Sequence, residues 1–466
     1  MSVSTPCKQY ANILPRQRLV EDVCAGEYAV KLGCDLYLPI PAPSDKSPEN
    51  LARYNQYLSR ALFYGATGQT LNSLIGAAFR IDPTFKADLI DYAQQDVDGS
   101  GVSIFQQAQM VLAELLKKGR AGLLVDYPRT DTAISIAEQK AQAIRPNIAL
   151  YDTKQIINWR VDKVGGKYLT TLVVLCEKIS EVSDASEFVT EEIDQFRVLK
   201  LVDGQYTVEI HRDDKLIDSY VPLDASGRAW DIIPFQIVGS EANTWAINPI
   251  PLEPLARVNL AHYRNSADHE DSVFLCGQPQ AYMTGLSEEW RDDLDKRGVY
   301  IGSRVLLPLP VGGTFGFAQA AENTLVRQAM MDKEEQMKGL GALIMQQGSA
   351  VKTATQSNNE QAVQQSVLTL CVANLNEAYM TCIGWMLRFI TSTPPTDYIF
   401  EVKQNFVQAA PDAQMLTALQ GMNQAGIIPK SVVWDYQRKT GLISSNVTDE
   451  ELMGEIDGEV VSNGLA

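Results

Sequence analysis

Positive charge is what this chain is short of: 40 lysines and arginines face 57 aspartates and glutamates, a formal charge of −17 over 466 residues. A surface that clamps nucleic acid draws its affinity from phosphate neutralisation and counterion release, so a balance this acidic excludes a broad basic DNA-binding face. Any DNA contact is expected to be local or loose. Histidine is scarcer still, with three in the chain, which leaves general-base work to carboxylates or lysine. The seven cysteines, at 7, 24, 34, 176, 276, 371 and 382, are odd in number, scattered, and lack C-x-x-C spacing. Zinc ribbons and dithiol redox motifs are thereby excluded, and a reducing cytosol is the expected setting.

Long hydrophobic runs are missing too. No stretch approaches the roughly eighteen uncharged apolar residues of a spanning helix, and "MSVSTPCKQYANILPRQR" has no apolar h-region, so neither membrane insertion nor secretion is expected. There is no G-x-S-x-G elbow, no Walker A loop and no G-x-G-x-x-G after a strand. "GATG" at 65–68 is not a phosphate loop, having no strand before it and no lysine in place after it. These absences shift the expectation from an enzyme towards a structural or interaction protein. What the chain does have is a 45% hydrophobic fraction and the length for two or more packed regions.

Periodicity places the elements. "SPENLARYNQYLSRALFY" reads as a helix with Ser47 as N-cap, Pro48 at its first position, and Tyr54, Leu58, Ala61 and Leu62 on one face. Gly65 and Gly68 are expected to break the chain before a second helix to about 80, and further helices are expected at 86–95 and 103–118, the latter ended by Gly119. "AGLLVDYP" follows as a buried strand, and 148–238 reads as antiparallel β, with "GG", "DG" and "RDDK" as turns. A helix of about 22 residues from Leu252 is polar on nearly every face beyond Val258, so it is expected to face solvent or to pack in a polar assembly. Residues 276–318 form a compact β-rich insertion around a brief acidic helix, and a second long helix, 319–341, returns from it. A final long helix ends near 390, with Leu368, Cys371, Leu375, Ala378, Cys382, Trp385 and Phe389 as its seam; at roughly 33 residues it would span about 50 Å. "DYIFEVKQNF" then reads as a returning strand, before short helices at 411–424, 429–439 and 448–456.

Two local patterns suggest metals. "DVDGSGVSIFQQ", Asp96 to Gln107, places Asp96, Asp98 and Ser100 at loop positions one, three and five of a calcium-binding EF-hand, with Gly at six. The twelfth position is Gln107 in place of the bidentate carboxylate, Ser103 stands where an apolar residue belongs, and no second loop appears. A turn leading into the N-cap of the 103–118 helix is the expected reading. His262 and His269, with Glu270 and Asp271 beside the second, lie seven apart on one helix, whereas a shared ion wants i and i+4.

The order of "GVSIFQQAQMVLAELLKKGRAGLLVDYP", "RPNIALYDTKQIINWRVD", "IIPFQIVG" and "SAVKTATQSNNEQAVQQSVLTLCVANLNEAYMTCIGWM" resembles the portal proteins of tailed bacteriophages, over nearly the whole chain. The resemblance implies an α+β portal-type fold: a helical and β wing at 1–251, stem helices at 252–275 and 319–341, and a small β-rich clip at 276–318. It further implies a tunnel loop with its long helix at 342–394, and a wing-return strand and helical crown at 395–466. Such a protein is a homo-oligomeric ring, usually a dodecamer, at one capsid vertex of the virion, assembled in the host cytoplasm. Double-stranded DNA passes through its channel. Its partners would be the terminase large subunit, a head-completion, adaptor or tail protein, and the major capsid protein and scaffold, with no membrane, no cofactor and no enzymatic activity of its own. Tyr282, Trp290, Tyr300 and Phe315 would form the clip interface, and Ser349, Lys352, Thr353, Thr355 and Gln356 the tunnel loop at the DNA channel. Lys352 is the single charged side chain from Gly339 to Asn359, so a ring would carry a circle of lone ammonium groups able to touch phosphates in any register. Two other readings stand beside this one: a soluble α+β enzyme or calcium-regulated protein using the 96–107 loop, and another virion structural protein such as a scaffold-bound minor head component.

Overall fold

The computed structural model describes residues 2–128, 144–182, 188, 190–277, 280–298, 309–318, 324–345, 366–404, 406, 413–443 and 447–454. They form a mixed helix and sheet chain that divides into two compact units. One comprises Met1–Glu21, Gln69–Glu253 and Ala342–Ala466, the other Asp22–Gly68 and Pro254–Gly341.

The chain opens with helix α1 (Lys8–Ala25), which keeps Pro15 inside it and buries Ile13, Gln17, Val20 and Val23 at helical spacing. Gln17 interrupts that apolar stripe in the sequence, but its Nε2 donates to the Lys118 carbonyl at 2.8 Å. A short α2 (Glu27–Leu32) precedes α3 (Pro48–Arg60), where the Ser47 side chain accepts from the Asn50 amide and proline occupies the first turn as expected. Tyr54 and Ala61 of the expected face are buried, whereas Leu62 is 57% exposed because the helix has already ended at Arg60. The next helix, α4 (Ala66–Ala78), contains Gly68 instead of being interrupted by it. A Cβ there would lie 2.7 Å from the Cys24 carbonyl oxygen, so the glycine serves a close backbone approach and not a break.

After strand β1 (Thr84–Lys86), the helix expected at 86–95 is a pair of 3₁₀ turns over Asp88–Gln94, kinked at Ile90. Helix α5 (Ile104–Lys118) starts at a capping box between Ser103 and Gln106 and stops at Gly119, whose φ of 78° forms a left-handed C-cap. Strand β2 (Arg120–Asp126) is buried along nearly its whole length because it is central, antiparallel to both β3 (Asn147–Tyr151) and a later strand. A five-stranded antiparallel meander follows: β4 (Ile156–Val164), β5 (Lys167–Val182), β6 (Thr190–Val202), β7 (Gln205–Arg212) and β8 (Lys215–Tyr220), adjacent in chain order. Its two-residue turns at Gly165–Gly166, Asp203–Gly204 and Asp213–Asp214 all have positive φ, the mirror-image geometry that matches strand twist. Strand β9 (Phe235–Gly239) then returns to pair with β2.

The second unit receives α6 (Glu253–Cys276), β10 (Gln280–Thr284), α7 (Glu288–Arg297), β11 (Thr314–Ala318) and most of α8 (Thr324–Met345). Back in the first unit, α9 (Val367–Ile390) is capped by Ser366 and packs on β2, β9 and α5. Its 24 described residues span about 36 Å, shorter than the expected helix. Six of the seven expected seam residues are buried and Trp385 is half-buried, but Val372, Tyr379, Ile383, Met386 and Leu387 are buried as well. The helix is therefore a core element enclosed on more than one face. The Tyr379 hydroxyl donates to Gln107 Oε1 (3.0 Å), and Asn374 Nδ2 donates to the Gly239 carbonyl (2.8 Å), fastening α9 to α5 and β9. Strand β12 (Ile399–Glu401) pairs with β1, and α10 (Ala413–Gln424) and α11 (Lys430–Thr440) follow.

Candidate functional site

The long helix α6 is not a polar rod solvated along its whole length: one face is buried, while its last turn leaves Val273, Phe274 and Leu275 exposed. Asn259, Leu260, His262, Tyr263, Ser266 and Ala267 are all buried inside its own unit. The polar members answer the backbone of the α3–α4 connection, which has no ladder of its own. Asn259 accepts from the Thr67 amide and hydroxyl (3.1 and 2.8 Å) and donates to the Tyr64 carbonyl (2.7 Å). Ser266 donates to the Leu62 carbonyl (2.6 Å) and accepts from the Leu62 amide (3.1 Å). Buried backbone groups need partners, and here a polar helix face supplies them. Further along, Asp268 accepts from the Tyr57 hydroxyl (2.6 Å) and Asp271 pairs with Arg60 (2.5 Å).

His262 is also buried, with Nε2 3.5 Å from Glu334 Oε1 of α8. Burial pushes its pKa down against the pull of Glu334. Seven residues on, His269 is about 10 Å along the axis from His262, so the two do not share a site. Among the described residues no cluster of three histidines, cysteines or carboxylates could hold a metal. Apart from Met337 and Ile344, α8 leaves most of its surface uncovered, with Leu325 77% exposed.

Between these helices, β10 and β11 form a two-stranded antiparallel ribbon in which Tyr282 lies opposite Gly316 and Met283 opposite Phe315. Strand alternation therefore puts Tyr282 on one face and Phe315 with Phe317 on the other. Tyr282 covers Gly316, where a Cβ would meet its ring hydroxyl at 2.8 Å. Phe315 and Phe317 meet edge to face at 5.1 Å. Trp290 is half-buried on the acidic helix α7, which Ser287 caps. Of the four expected clip residues, Tyr282 and Phe315 are in one ribbon but on opposite faces, and Tyr300 lies outside the described residues. Phe317, 54% exposed, shares its face with Phe315, as the alternation in "TFGFA" places it. Ser349, Lys352, Thr353, Thr355 and Gln356 also lie outside the described residues.

The 96–107 loop is committed to its own backbone. Asp96 Oδ1 accepts from the Gly99 and Gly101 amides (2.8 and 2.9 Å), and Oδ2 from Arg145 (2.6 Å). Desolvation raises the pKa of Asp96, but these donors more than offset it and hold the carboxyl below its usual range. Asp98 accepts from the Ser100 amide and hydroxyl (2.9 and 2.8 Å). Gln107, the twelfth position, is buried and donates to the Ile148 carbonyl (2.7 Å), away from the loop. The geometry is that of a turn leading into the α5 cap.

The family described as a domain of unknown function, DUF4055, matches residues 251–390, the stretch from just before α6 to the last residue of α9. No curated protein matches. The fold is similar to a chain in the neck of an empty GTA particle computed with C6 symmetry, 12% identical with a TM-score of 0.41, covering 80% of this chain and 89% of that one. It is likewise similar to a chain in the neck of a native GTA particle computed with C12 symmetry, 10% identical with a TM-score of 0.40, covering 78% of this chain and 86% of that one. No described helix is long and apolar enough to cross a membrane.

Proposed function

We propose that the chain is a non-enzymatic portal-type subunit of a phage virion. Copies would form a homo-oligomeric ring at one capsid vertex, pass double-stranded DNA through its axis, and dock the terminase large subunit and later a head-completion or adaptor protein. The observation that carries this reading is the β10–β11 ribbon. A two-stranded sheet is marginal alone, and this one leaves Tyr282 48% exposed on one face and Phe317 54% exposed on the other. A ring with head-to-tail contacts gives each subunit a neighbour on both sides, so both faces can be covered at once. The formal charge of −17 suits a channel along which DNA slides without deep binding minima.

Purified protein is expected to elute and weigh as a closed ring many times 51.4 kDa, with an axial hole in negative stain. A monomer whose melting depends on calcium would overturn the reading in favour of a calcium-regulated protein. A large assembly without a hole would favour a different virion component. Lys352→Glu is expected to leave ring assembly unchanged while reducing packaged or retained DNA, scored as DNA-filled heads per particle. Unchanged filling would remove Lys352 from the DNA path.

A further inference from the structure

Among the described residues, two cationic side chains are withdrawn from solvent, and they stand two positions apart. Lys118, 1% exposed, is neutralised by Glu21, Glu114 and Asp152 at 3.2, 2.9 and 2.7 Å. Arg120, 2% exposed at the start of β2, has no comparable company. Its Nε, Nη1 and Nη2 are all without a hydrogen-bond partner among the described residues. Around it are indoles: the guanidinium carbon lies 4.4 Å from the Trp159 ring centre and 5.5 Å from that of Trp245. The two tryptophans stack on each other at 5.6 Å, and Phe235 stacks on Trp245 at 5.8 Å.

Aromatic faces attract a cation, but they leave the five N–H donors of a guanidinium unanswered. The Trp245 indole N–H donates to Thr170 Oγ1 (2.8 Å), the Thr153 hydroxyl donates to the carbonyl of Arg120 itself (3.0 Å), and the Cys7 thiol, which acts on the cation electrostatically, accepts no hydrogen bond from it. Burial lowers the Arg120 pKa to about 10, so the group still carries its charge at neutral pH. In a chain with 57 carboxylates, none of the described ones reaches this cation. A buried charge needs a counter-charge or a set of acceptors.

We propose that Arg120 binds one small inorganic anion, a halide or a compact oxyanion, enclosed beside Trp159 and Trp245. The 2% exposure of both Arg120 and Thr153 excludes a polymer phosphate or a lipid headgroup, neither of which could be enclosed. The site is independent of the portal reading.

The test is thermal unfolding of the full chain in sodium bromide, sodium phosphate and sodium gluconate at matched ionic strength. The midpoint is expected to rise by roughly 1–2 °C per tenfold increase in bromide or phosphate above the dissociation constant, and to stay flat in gluconate, which is too large to be enclosed. The bromide and phosphate arms distinguish halide from oxyanion. Arg120→Met should be flat in all three salts. Bromide-soaked crystals of the unsubstituted chain, which need no variant to fold, should show an anomalous peak in hydrogen-bond range of the guanidinium. Equal slopes in all three salts, the same slope in Arg120→Met, or bromide found only elsewhere would overturn the proposal.

Discussion

Gly119→Ala is expected to destabilise the chain by roughly 3–5 kcal/mol, far more than a glycine-to-alanine exchange in open surroundings. Gly119 has a φ of 78°, and a Cβ there would lie 2.7 Å from the Pro249 carbonyl oxygen and 3.1 Å from that of Asn248. Both are backbone atoms, which cannot swing aside as a side-chain tip can. The Gly119 carbonyl accepts from the Ser240 amide (2.9 Å) and the Leu116 carbonyl from the Leu252 amide (3.2 Å), so this residue seats the segment that runs into α6. Gly101→Ala is the control. It has a φ of 90° but nothing within 4 Å of its would-be Cβ, so it should cost only the left-handed strain of about 1–2 kcal/mol. Urea midpoints at unchanged m-value measure both. Coincident midpoints would mean that the close approach contributes nothing.

The neighbouring exchange, Lys118→Ala, is expected to cost about 3–5 kcal/mol, the loss usual when one partner of a buried ion pair is removed. Glu21, Glu114 and Asp152 would remain around an empty position, with Gln17 still bound to the residue 118 carbonyl. The cluster also sets an acid dependence. Desolvation raises the Glu21 pKa, but Lys154 and Lys118 more than offset it, so the folded value lies below the ordinary one. A depressed carboxylate contributes stability that is present above its unfolded pKa and lost as pH falls through the folded one. For Lys118, desolvation lowers the pKa, but Glu114 and Asp152 outweigh it and hold the ammonium well above its usual value. That contribution is complete below the unfolded value of about 10.4 and is lost only in stronger alkali. Unfolding followed from about pH 3 to about pH 8 should therefore show an acid slope that is shallower in Lys118→Ala. Parallel slopes would assign the acid sensitivity to other carboxylates.

Much of the fold was legible where local chemistry decides it. Ser47 with Pro48, Ser103 with Gln106 and the left-handed Gly119 mark helix ends by hydrogen bonds made within a few residues. The meander turns at Gly165–Gly166, Asp203–Gly204 and Asp213–Asp214 are likewise local. Less legible were elements whose pattern makes sense only against a distant partner. Gln17 spoils the stripe of α1 until the Lys118 carbonyl is beside it. Gly68 looks like a helix breaker until the Cys24 carbonyl is packed against it. The candidate site divides the same way: the aromatic content of 280–318 is plain in the chain, but strand pairing separates Tyr282 from Phe315 and joins Phe315 to Phe317.

The sequence by itself determined the helix caps, the hairpin turns, the acidic balance and the order of helices, hairpin and helices, because each depends on short-range geometry or on simple counting. Tertiary structure decided which polar groups are spent and which are left over, since that depends on side chains that only the fold brings together. Asn259 and Ser266 turn from an apparently solvated face into the partners of the 62–67 backbone. Asp96 is consumed by Arg145 and two amides. Lys118 and Arg120, alike as cations in the sequence, are separated by the fold into one that is fully neutralised and one that is buried with its donors unmatched among the described residues.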